Sequence, residues 1–266
     1  LAELTLSQSI GHIEVIETQF TSLIIRQLKR LNNKDKELWL KYAEQHNWQL
    51  FIDDGDKIIA LDESIETKAL SYPLVDDIAL HFTVKDFIQV NHDVNLTMVE
   101  QAIDWLLLTS DDVVLDLFCG LGNFSLPIAK RVQHVIGVEG IQAMVDRATK
   151  NAQDNQITNC EFYQCDLSEH WLDQPWAEPE KNNNIAKAFN KVLLDPARAG
   201  AWQVCEQLVK LSVESMLYVS CDPATLARDS KYLLGNGYSI EKIAIMDMFS
   251  QTKHIETMVL FTRSSK

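Results

Sequence analysis

The sequence predicts an α/β protein: a mostly parallel sheet covered by helices, preceded by a small α+β unit. From about residue 95, short apolar runs alternate with helical patterns, which is typical of a parallel sheet buried on both faces. One of these runs, residues 113–118, leads directly into a glycine turn and a helix, as the first strand of a doubly wound sheet does. We therefore expect a small α+β domain over residues 1–80 and a Rossmann-like α/β domain over residues 81–266.

The first third of the chain carries the patterns of the small unit. Residues 12–28 alternate apolar and polar side chains in patches, which predicts strands. Residues 33–47 set apolar side chains among charges and predict a helix. Residues 48–52 and 57–61 flank the turn sequence Asp53-Asp54-Gly55-Asp56, which indicates a hairpin. These residues do not by themselves indicate a function.

The remainder alternates strands and helices. Strands are predicted at residues 113–118, 134–138, 191–194 and 216–220, and helices at 95–108, 123–132, 141–154, 202–211 and 223–234. Two last strands, at about 240–247 and 256–262, are expected to close the sheet as a hairpin-like pair. Residues 168–190 contain Trp171, Trp176 and the run Asn182-Asn183-Asn184, and we expect an excursion over the surface there.

Composition excludes several classes of protein. The 266 residues carry a net charge of -14, which argues against unaided attraction to nucleic acid, whose affinity comes largely from Lys and Arg on phosphates. The five cysteines form no C-x-x-C pair, so neither a disulfide framework nor a metal site is predicted, and free thiols favour a reducing cytoplasm. We find neither an apolar run of membrane-spanning length nor a secretory signal at Leu1-Ala2-Glu3-Leu4, and therefore expect a cytoplasmic protein without membrane contact.

The glycine turn points to a nucleotide-like ligand. It follows the strand in the sequence Asp116-Leu117-Phe118-Cys119-Gly120-Leu121-Gly122-Asn123, and Ser125 stands where a dinucleotide fingerprint has its third glycine. Glu139 ends the next predicted strand, where a carboxylate can accept hydrogen bonds from both ribose hydroxyls. S-adenosylmethionine has a ribose but no pyrophosphate and fits this pattern best. A nicotinamide or flavin cofactor, or a turn without a ligand, stays open.

Further polar residues follow predicted strands. Asp166 and Asp195 are expected to reach the same crevice, although a helix-capping role is an alternative for each. Cys221 follows an apolar strand and precedes a helix that begins with Pro223, whose amino terminus is expected to lower the thiol pKa. Cys221 is therefore the candidate nucleophile, with a packed strand-end thiol as the alternative. Glu256 begins the last strand; a partly buried carboxylate there acts as a base, and a solvated one does not.

Five segments together resemble the RNA uracil-5-methyltransferases, most closely those acting on 23S ribosomal RNA. They occur in order between about residues 80 and 262: Asp86-Phe87-Ile88-Gln89-Val90-Asn91, Leu115-Asp116-Leu117-Phe118-Cys119-Gly120, Leu194-Asp195-Pro196-Ala197-Arg198-Ala199-Gly200, Ser220-Cys221-Asp222-Pro223-Ala224-Thr225-Leu226-Ala227-Arg228-Asp229 and His254-Ile255-Glu256.

The resemblance implies a role for each matching residue. Cys221 would be the nucleophile and Glu256 the base, while Phe87 and Arg198 would contact the substrate. The residues implied for S-adenosylmethionine are Gln89, Phe118, Gly120, Asn123, Glu139, Asp166 and Asp195.

The chain departs from the family pattern in four places. Family members usually carry an oligonucleotide-binding TRAM domain and, in this branch, cysteines for a [4Fe-4S] cluster; because no cysteine precedes Cys119, we expect no cluster in this chain. Asp222 replaces the usual Asn, and its charge is expected to raise the pKa of the neighbouring thiol. Ser250 replaces the usual Pro in the segment before Glu256.

The resemblance implies methyl transfer from S-adenosylmethionine to C5 of a uridine in 23S ribosomal RNA, through a covalent adduct between the cysteine and C6, by a monomer. A transfer-RNA uracil-5-methyltransferase is the alternative within the family. Outside it, a small-molecule methyltransferase and a non-catalytic RNA-binding fragment stay open. Cys221 with Glu256 argues against the former, because transfer to N or O needs no thiol nucleophile.

Overall fold

The computed structural model describes residues 1–62, 69–182 and 188–263. The chain divides into two units. The first comprises Leu1–Tyr72 and His81–Asp86, and the second comprises Pro73–Leu80 and Phe87–Lys266. The interpretation of residues 1–80 as a domain that contacts RNA stays a prediction.

The first unit is a four-stranded sheet with one helix. Its elements are β1 (Ile10–Glu17), β2 (Thr21–Gln27), α1 (Asn33–His46), β3 (Gln49–Asp53) and β4 (Ile58–Ala60), in the sheet order β1-β2-β3-β4. Strands β2 and β3 are parallel, and the two other pairs are antiparallel. Trp39 of α1 packs with Ile25 and Leu50 in the core of this unit. The predicted strands, helix and hairpin are confirmed.

Two short strands contain two of the three positions at which the chain passes between the units; the third follows Asp86. They are β5 (Leu70–Pro73) and β6 (Ala79–Phe82), which pair in a two-stranded sheet. A single 3-10 turn, Val75–Asp77, separates them.

The second unit is a seven-stranded sheet flanked by helices. Its elements are α2 (His92–Leu106), β7 (Val113–Leu117), α3 (Ser125–Ala129), β8 (His134–Glu139), α4 (Gln142–Asp154), β9 (Cys160–Gln164), α5 (Pro179–Asn182), β10 (Lys191–Leu194), α6 (Trp202–Leu211), β11 (Ser215–Ser220), α7 (Pro223–Gly235), β12 (Tyr238–Met246) and β13 (Glu256–Arg263). The sheet order is β12-β13-β11-β10-β7-β8-β9.

This arrangement confirms the predicted α/β fold. Strands β7 to β11 are parallel to one another, and β13 is antiparallel to both β11 and β12. The central strands are buried on both faces, as their uninterrupted apolar runs predict. Helix α3 is shorter than predicted, because the glycine turn continues through Asn123 and Phe124 before the helix begins at Ser125.

The predicted surface excursion at residues 168–190 is wrong for its two tryptophans. Trp171 is 0% exposed and Trp176 is 3% exposed. Their rings stack at 5.4 Å within the main core of the second unit. Gln207 of α6 accepts a hydrogen bond from the Trp171 backbone N–H at 2.9 Å and donates one to the Glu169 carbonyl at 2.9 Å. Burial of the two large indole rings therefore places part of a polar segment in the core. Residues 183–187 of the predicted excursion lie outside the described residues.

Within the described part of the chain, none of the helices has both the length and the apolar character that crossing a membrane requires.

Candidate active site

The candidate residues lie at one edge of the seven-stranded sheet. The parallel strands β7 to β11 end at this edge, and β13 begins there because it runs antiparallel to β11. The residues at or just beyond this edge are Phe118, Glu139, Asp166, Asp195, Cys221 and Glu256. The convergence of strand ends that the sequence predicts is confirmed.

The glycine turn after β7 holds the Glu139 carboxylate. Gly120 has a φ of +55°, a conformation that favours glycine, and its N–H donates to Glu139 Oε2 at 3.2 Å. The backbone N–H of Ile141 donates to Glu139 Oε1 at 3.1 Å. Only the end of the Met144 side chain comes within 4 Å of the position that a Cβ on Gly120 would occupy, at 3.5 Å. The carboxylate is thus fixed beside an open turn, with lone pairs left for further donors.

Asp116 is a candidate that the sequence analysis missed. It is 0% exposed in the middle of β7, and its Oδ2 accepts a hydrogen bond from the Ser125 hydroxyl. Its Oδ1 has no hydrogen-bond partner among the described residues. Burial raises the pKa of Asp116 to about 7. An acidic residue inside the apolar strand Val113–Leu117 was the signal that indicated an unusual position.

The other residues predicted for the methyl donor differ in what they contact. The Gln89 Oε1 atom is buried and accepts no hydrogen bond from the described residues. Phe118 has a φ of +62° and packs against the main core of the second unit. The amides of Asn123 and Asn95 bond to one another twice, at 2.9 Å each. Gln89 therefore offers an unsatisfied acceptor, whereas Asn123 is anchored to α2.

Asp166 forms a local turn. Its side chain is exposed, and its Oδ1 accepts hydrogen bonds from the Ser168 backbone N–H at 2.9 Å and the Ser168 hydroxyl at 2.6 Å. These bonds hold the pKa of Asp166 below its ordinary value. The arrangement is closer to the capping alternative, and a contact of Asp166 with the methyl donor stays a prediction.

Strand register brings Cys221 and Glu256 together. Ser220 of β11 lies opposite Thr257 of β13 in an antiparallel pair. Cys221 directly follows Ser220 at the end of β11, and Glu256 directly precedes Thr257 in β13, so Cys221 and Glu256 are neighbours. Met246 of β12 flanks Glu256 on its other side. A thiol and a carboxylate that are 35 positions apart in the sequence thus share one position at the sheet edge.

The electrostatic environment of this pair is acidic and partly dry. Glu256 is 3% exposed, and burial raises its pKa from 4.5 to about 7. Its Oε1 has no hydrogen-bond partner in the described part of the chain. Burial, together with the carboxylates of Glu256 and Asp116, raises the pKa of Asp195 well above its ordinary value. Of the two alternatives that the sequence left open for Glu256, the structure shows the buried carboxylate and not the solvated one.

The expectation that the amino terminus of α7 lowers the Cys221 pKa is wrong. Burial, followed by the charges of Glu256 and Asp195, raises the pKa of this half-buried thiol. Asp222 caps the helix by accepting hydrogen bonds from the backbone N–H groups of Ala224 at 2.9 Å and Thr225 at 3.1 Å. The donors at the helix terminus are therefore partly taken by Asp222, whose own pKa they lower.

Two cationic or aromatic side chains predicted for the substrate lie open to solvent. Arg198 is exposed, its guanidinium lies 3.4 Å from His254 Nε2, and its charge acts to lower the pKa of Cys221. Phe87 is 65% exposed. In the same unit a cavity of about 430 Å³ is lined by residues that follow Gln89 and residues that precede Glu256, among them Val90, His92, Phe249 and Thr252.

The cysteines offer no further site. All five are free, and Cys119, Cys160 and Cys205 are buried, with burial raising the thiol pKa of each. Across residues 1–62, 69–182 and 188–263, no three His, Cys, Asp or Glu side chains are grouped so that they would hold a metal ion.

Comparisons with known proteins identify relatives of the whole chain. The curated proteins it resembles include the 23S rRNA (uracil(1939)-C(5))-methyltransferases RlmD of Colwellia psychrerythraea, at 50% identity over 100% of this chain and 58% of the relative, and of Haemophilus influenzae, at 46% identity over 98% and 57%. The corresponding protein of Photobacterium profundum is 50% identical over 99% of this chain and 54% of its own length. The chain thus spans just over half the length of these relatives.

Solved structures share the fold. The Pyrococcus abyssi tRNA (uracil-54, C5)-methyltransferase in complex with S-adenosyl-L-homocysteine is 23% identical, with a TM-score of 0.68 over 91% of this chain and 56% of that one. The M. jannaschii tRNA m1G37 methyltransferase is 14% identical, with a TM-score of 0.63 over 98% and 74%.

The family described as tRNA (uracil-5-)-methyltransferase matches residues 17–264, which include every candidate residue discussed above. The match, the RlmD relatives and the shared α/β fold agree with the resemblance that the sequence motifs indicate. On these findings, this chain belongs to the tRNA (uracil-5-)-methyltransferase family.

Proposed function

We propose that this chain carries the catalytic site of an S-adenosylmethionine-dependent methyltransferase that acts on C5 of a uridine in 23S ribosomal RNA. The observation that carries the proposal is the position of Cys221 and Glu256, which directly adjoin the paired residues Ser220 and Thr257 where β11 ends and β13 begins. The names of the RlmD relatives support uracil C5 and 23S ribosomal RNA as the target. Transfer RNA is the second candidate, because the family description names it.

The donor side of the site fits S-adenosylmethionine. Glu139 would accept hydrogen bonds from the ribose hydroxyls, since its carboxylate is fixed beside the open turn at Gly120. The unpartnered Oε1 of Gln89 and Oδ1 of Asp116, both buried, would accept from polar groups of the donor or from water. Phe118, Asn123, Asp166 and Asp195 complete the proposed set. The bound donor supplies a methyl group carried on a sulfonium.

Uracil C5 must first be made nucleophilic. The thiolate of Cys221 adds to C6, forming a C6–S bond and an enolate whose electron density lies on C5 and O4. C5 then takes the methyl group and still carries its proton. Glu256 removes that proton, the C5–C6 double bond re-forms, and the thiolate leaves. One cysteine and one base therefore suffice, and no electrons are gained or lost overall.

The electrostatic environment suits these roles. Because burial raises the pKa of Glu256 to about 7, the carboxylate is basic enough to accept a carbon-bound proton near neutral pH. The charges of Glu256 and Asp195 help to raise the pKa of the Cys221 thiol. The positive charge of Arg198 acts in the opposite direction and favours the reactive thiolate.

The substrate must enter with its base unstacked. A uridine within a helix does not expose C6, so the target is flipped or already single-stranded. The exposed ring of Phe87 is a stacking surface for it, and Arg198 is the cation proposed to contact the RNA. With a net charge of -14, the chain depends on such local contacts more than on long-range attraction. We propose a cytoplasmic monomer, in which residues 1–80 also contact RNA.

Two substitutions separate the two chemical roles. Cys221→Ala is expected to abolish methylation and leave no covalent species. Glu256→Gln is expected to allow attack and methyl transfer and then to stall, so that a methylated RNA–protein adduct survives a denaturing gel. RNA with 5-fluorouracil at the target is expected to trap the unsubstituted chain, because fluorine does not leave as a cation.

Cys165→Ala is the matched control. Cys165 is also half-buried and follows a strand of the same sheet, β9, so its loss is expected to leave adduct formation intact. Transfer RNA and 23S fragments are offered in parallel to distinguish the two candidate substrates. If both RNA and donor bind but neither fluorinated RNA nor Glu256→Gln gives an adduct, the covalent mechanism is refuted.

A further inference from the structure

The loop that follows β10 is fastened to α7 by side chains of that helix. The Thr225 hydroxyl donates to the Arg198 carbonyl at 3.2 Å, and Arg228 Nη2 donates to the Ala199 carbonyl at 3.0 Å. The backbone N–H of Ala201 donates to Asp229 Oδ2 at 2.7 Å. The backbone of Arg198 and of the residues after it is therefore held against the helix that begins two residues after Cys221.

Asp229 is the centre of this fastening. Its side chain is 0% exposed and also accepts hydrogen bonds from the Tyr218 hydroxyl at 2.8 Å and from Arg228 Nε at 2.7 Å. The guanidinium of Arg228 lies 5.9 Å from the centre of the Trp202 ring. A buried carboxylate with three good donors is rigid, because any displacement leaves a charge desolvated and unpaired.

Gly200 allows the close approach. It has a φ of +75°, and a Cβ at this position would lie 2.7 Å from both Arg228 Nη2 and Asp229 Oδ2. Any side chain there would push the loop off the helix.

We propose that Asp229 is a positioning residue, which holds residues 198–201 against α7 so that the guanidinium of Arg198 stays beside His254, at the sheet edge where Cys221 and Glu256 lie. This inference rests on the proposed function, since it takes Cys221 as the nucleophile. The exposed Arg198 side chain is held only weakly by its contact with His254 at 3.4 Å, so its position depends on its backbone. Among the described residues, the charged groups that most affect the pKa of Cys221 are Glu256, Asp195 and Arg198, and of these only Arg198 favours the thiolate.

Alkylation of Cys221 measures the effect without methyl transfer. We expect Asp229→Asn, which keeps the shape of the side chain but removes its charge, to slow alkylation of Cys221 by iodoacetamide about two- to threefold at pH 7.5, as thiolate is lost. Peptide mass spectrometry resolves the five thiols, and the half-buried Cys165 serves as the internal standard. The pH profile of alkylation is expected to move to higher pH.

A double variant tests whether the effect passes through Arg198. Arg198→Ala should slow alkylation by a similar factor, and adding Asp229→Asn to it should change nothing more. Gly200→Ala should also displace the loop from α7 and slow the alkylation of Cys221. Asp112→Asn is the matched control, since Asp112 is a buried carboxylate that precedes β7 and pairs with Lys191 at 3.1 Å, away from Cys221; we expect no change in Cys221 alkylation.

The inference is overturned if folded Asp229→Asn and Gly200→Ala both alkylate at the rate of the unsubstituted chain. It is also overturned if Asp229→Asn slows the reaction equally in the Arg198→Ala background, which would indicate a general structural role. Methyl transfer by the unsubstituted chain is measured separately. A chain that fails to methylate RNA but shows the expected alkylation pattern contradicts the proposed function and supports the positioning role.

Discussion

Replacing Glu256 by Gln should stabilise the fold above neutral pH. Burial raises the pKa of this carboxyl from 4.5 to about 7. Below pH 4.5 the carboxyl is protonated in both the folded and the unfolded chain, so folding carries no ionisation cost. As pH rises from 4.5 to about 7, the exposed carboxyl of the unfolded chain ionises while the buried carboxyl of the folded chain stays protonated, so stability is lost over this interval and the loss is complete above about pH 7.

The size of the effect follows from the pKa difference. A rise of about 2.5 pH units, at about 1.36 kcal/mol each, costs about 3.4 kcal/mol once the group is ionised in both states. Glu256 is 3% exposed, so solvent does not screen this cost. Gln has the size of a protonated Glu and no charge. We therefore expect the free energy of unfolding of Glu256→Gln to exceed that of the unsubstituted chain by about 3 kcal/mol at pH 8 and by less than about 1 kcal/mol at pH 5.

The assay is urea unfolding at both pH values, followed by tryptophan fluorescence. Hydrogen exchange of the β13 amides assigns the transition to the seven-stranded unit. Glu241→Gln, an exposed position on the adjacent strand β12, is the control and should change stability by less than about 0.5 kcal/mol at either pH. Asp116, which also has a pKa raised to about 7, is present in every variant and cancels.

The reasoning is refuted if Glu256→Gln and the unsubstituted chain lose the same stability between pH 5 and pH 8. A less stable Glu256→Gln at pH 8 would refute it too, since it would mean that an ionised Glu256 is favourably paired. The expected result links stability to chemistry, because the carboxylate that weakens the fold is the proposed base.

Three further outcomes are expected. Methyl transfer should increase as pH rises through about 7, because the carboxylate of Glu256 and the thiolate of Cys221 are the reactive forms; a rate that is flat from pH 6 to pH 8 contradicts these roles. Glu139→Ala should weaken S-adenosylmethionine binding in calorimetry about tenfold or more, since a charge-assisted acceptor is lost, and unchanged affinity would remove Glu139 from the site. Binding of 23S fragments should be weak and fall steeply with salt, given the net charge of -14, and tight binding at 200 mM salt would contradict this.

Local patterns predicted most of the elements. The apolar runs at β7, β8, β10 and β11 and the helices α6 and α7 lie within one or two residues of their predicted positions. Helices and strands form from residues that are close in the sequence, so the spacing of apolar residues is enough to predict them. The buried Trp171 and Trp176 were predicted wrongly, because polar residues surround them in sequence while their partners come from distant elements.

The candidate site was predictable in kind but not in state. The motifs and predicted strand ends identified Cys221, Glu256 and Glu139 as candidates. The predicted direction of the shift in the Cys221 pKa, however, was wrong. A helix amino terminus follows Cys221, as the sequence predicts, but burial and two carboxylates from other strands outweigh it. Asp116 was missed for the same reason, since its raised pKa comes from complete burial.

The sequence by itself determined the alternation of strands and helices, the glycine turn and the chemical types of the reacting residues. The tertiary structure alone decided that Cys221 lies beside Glu256, that Glu256 loses its water, and that Asp229 holds the loop that carries Arg198. Propensity and periodicity act over a few residues, whereas strand register, burial and charge pairing depend on residues that are far apart in the chain and meet only when the sheet has formed.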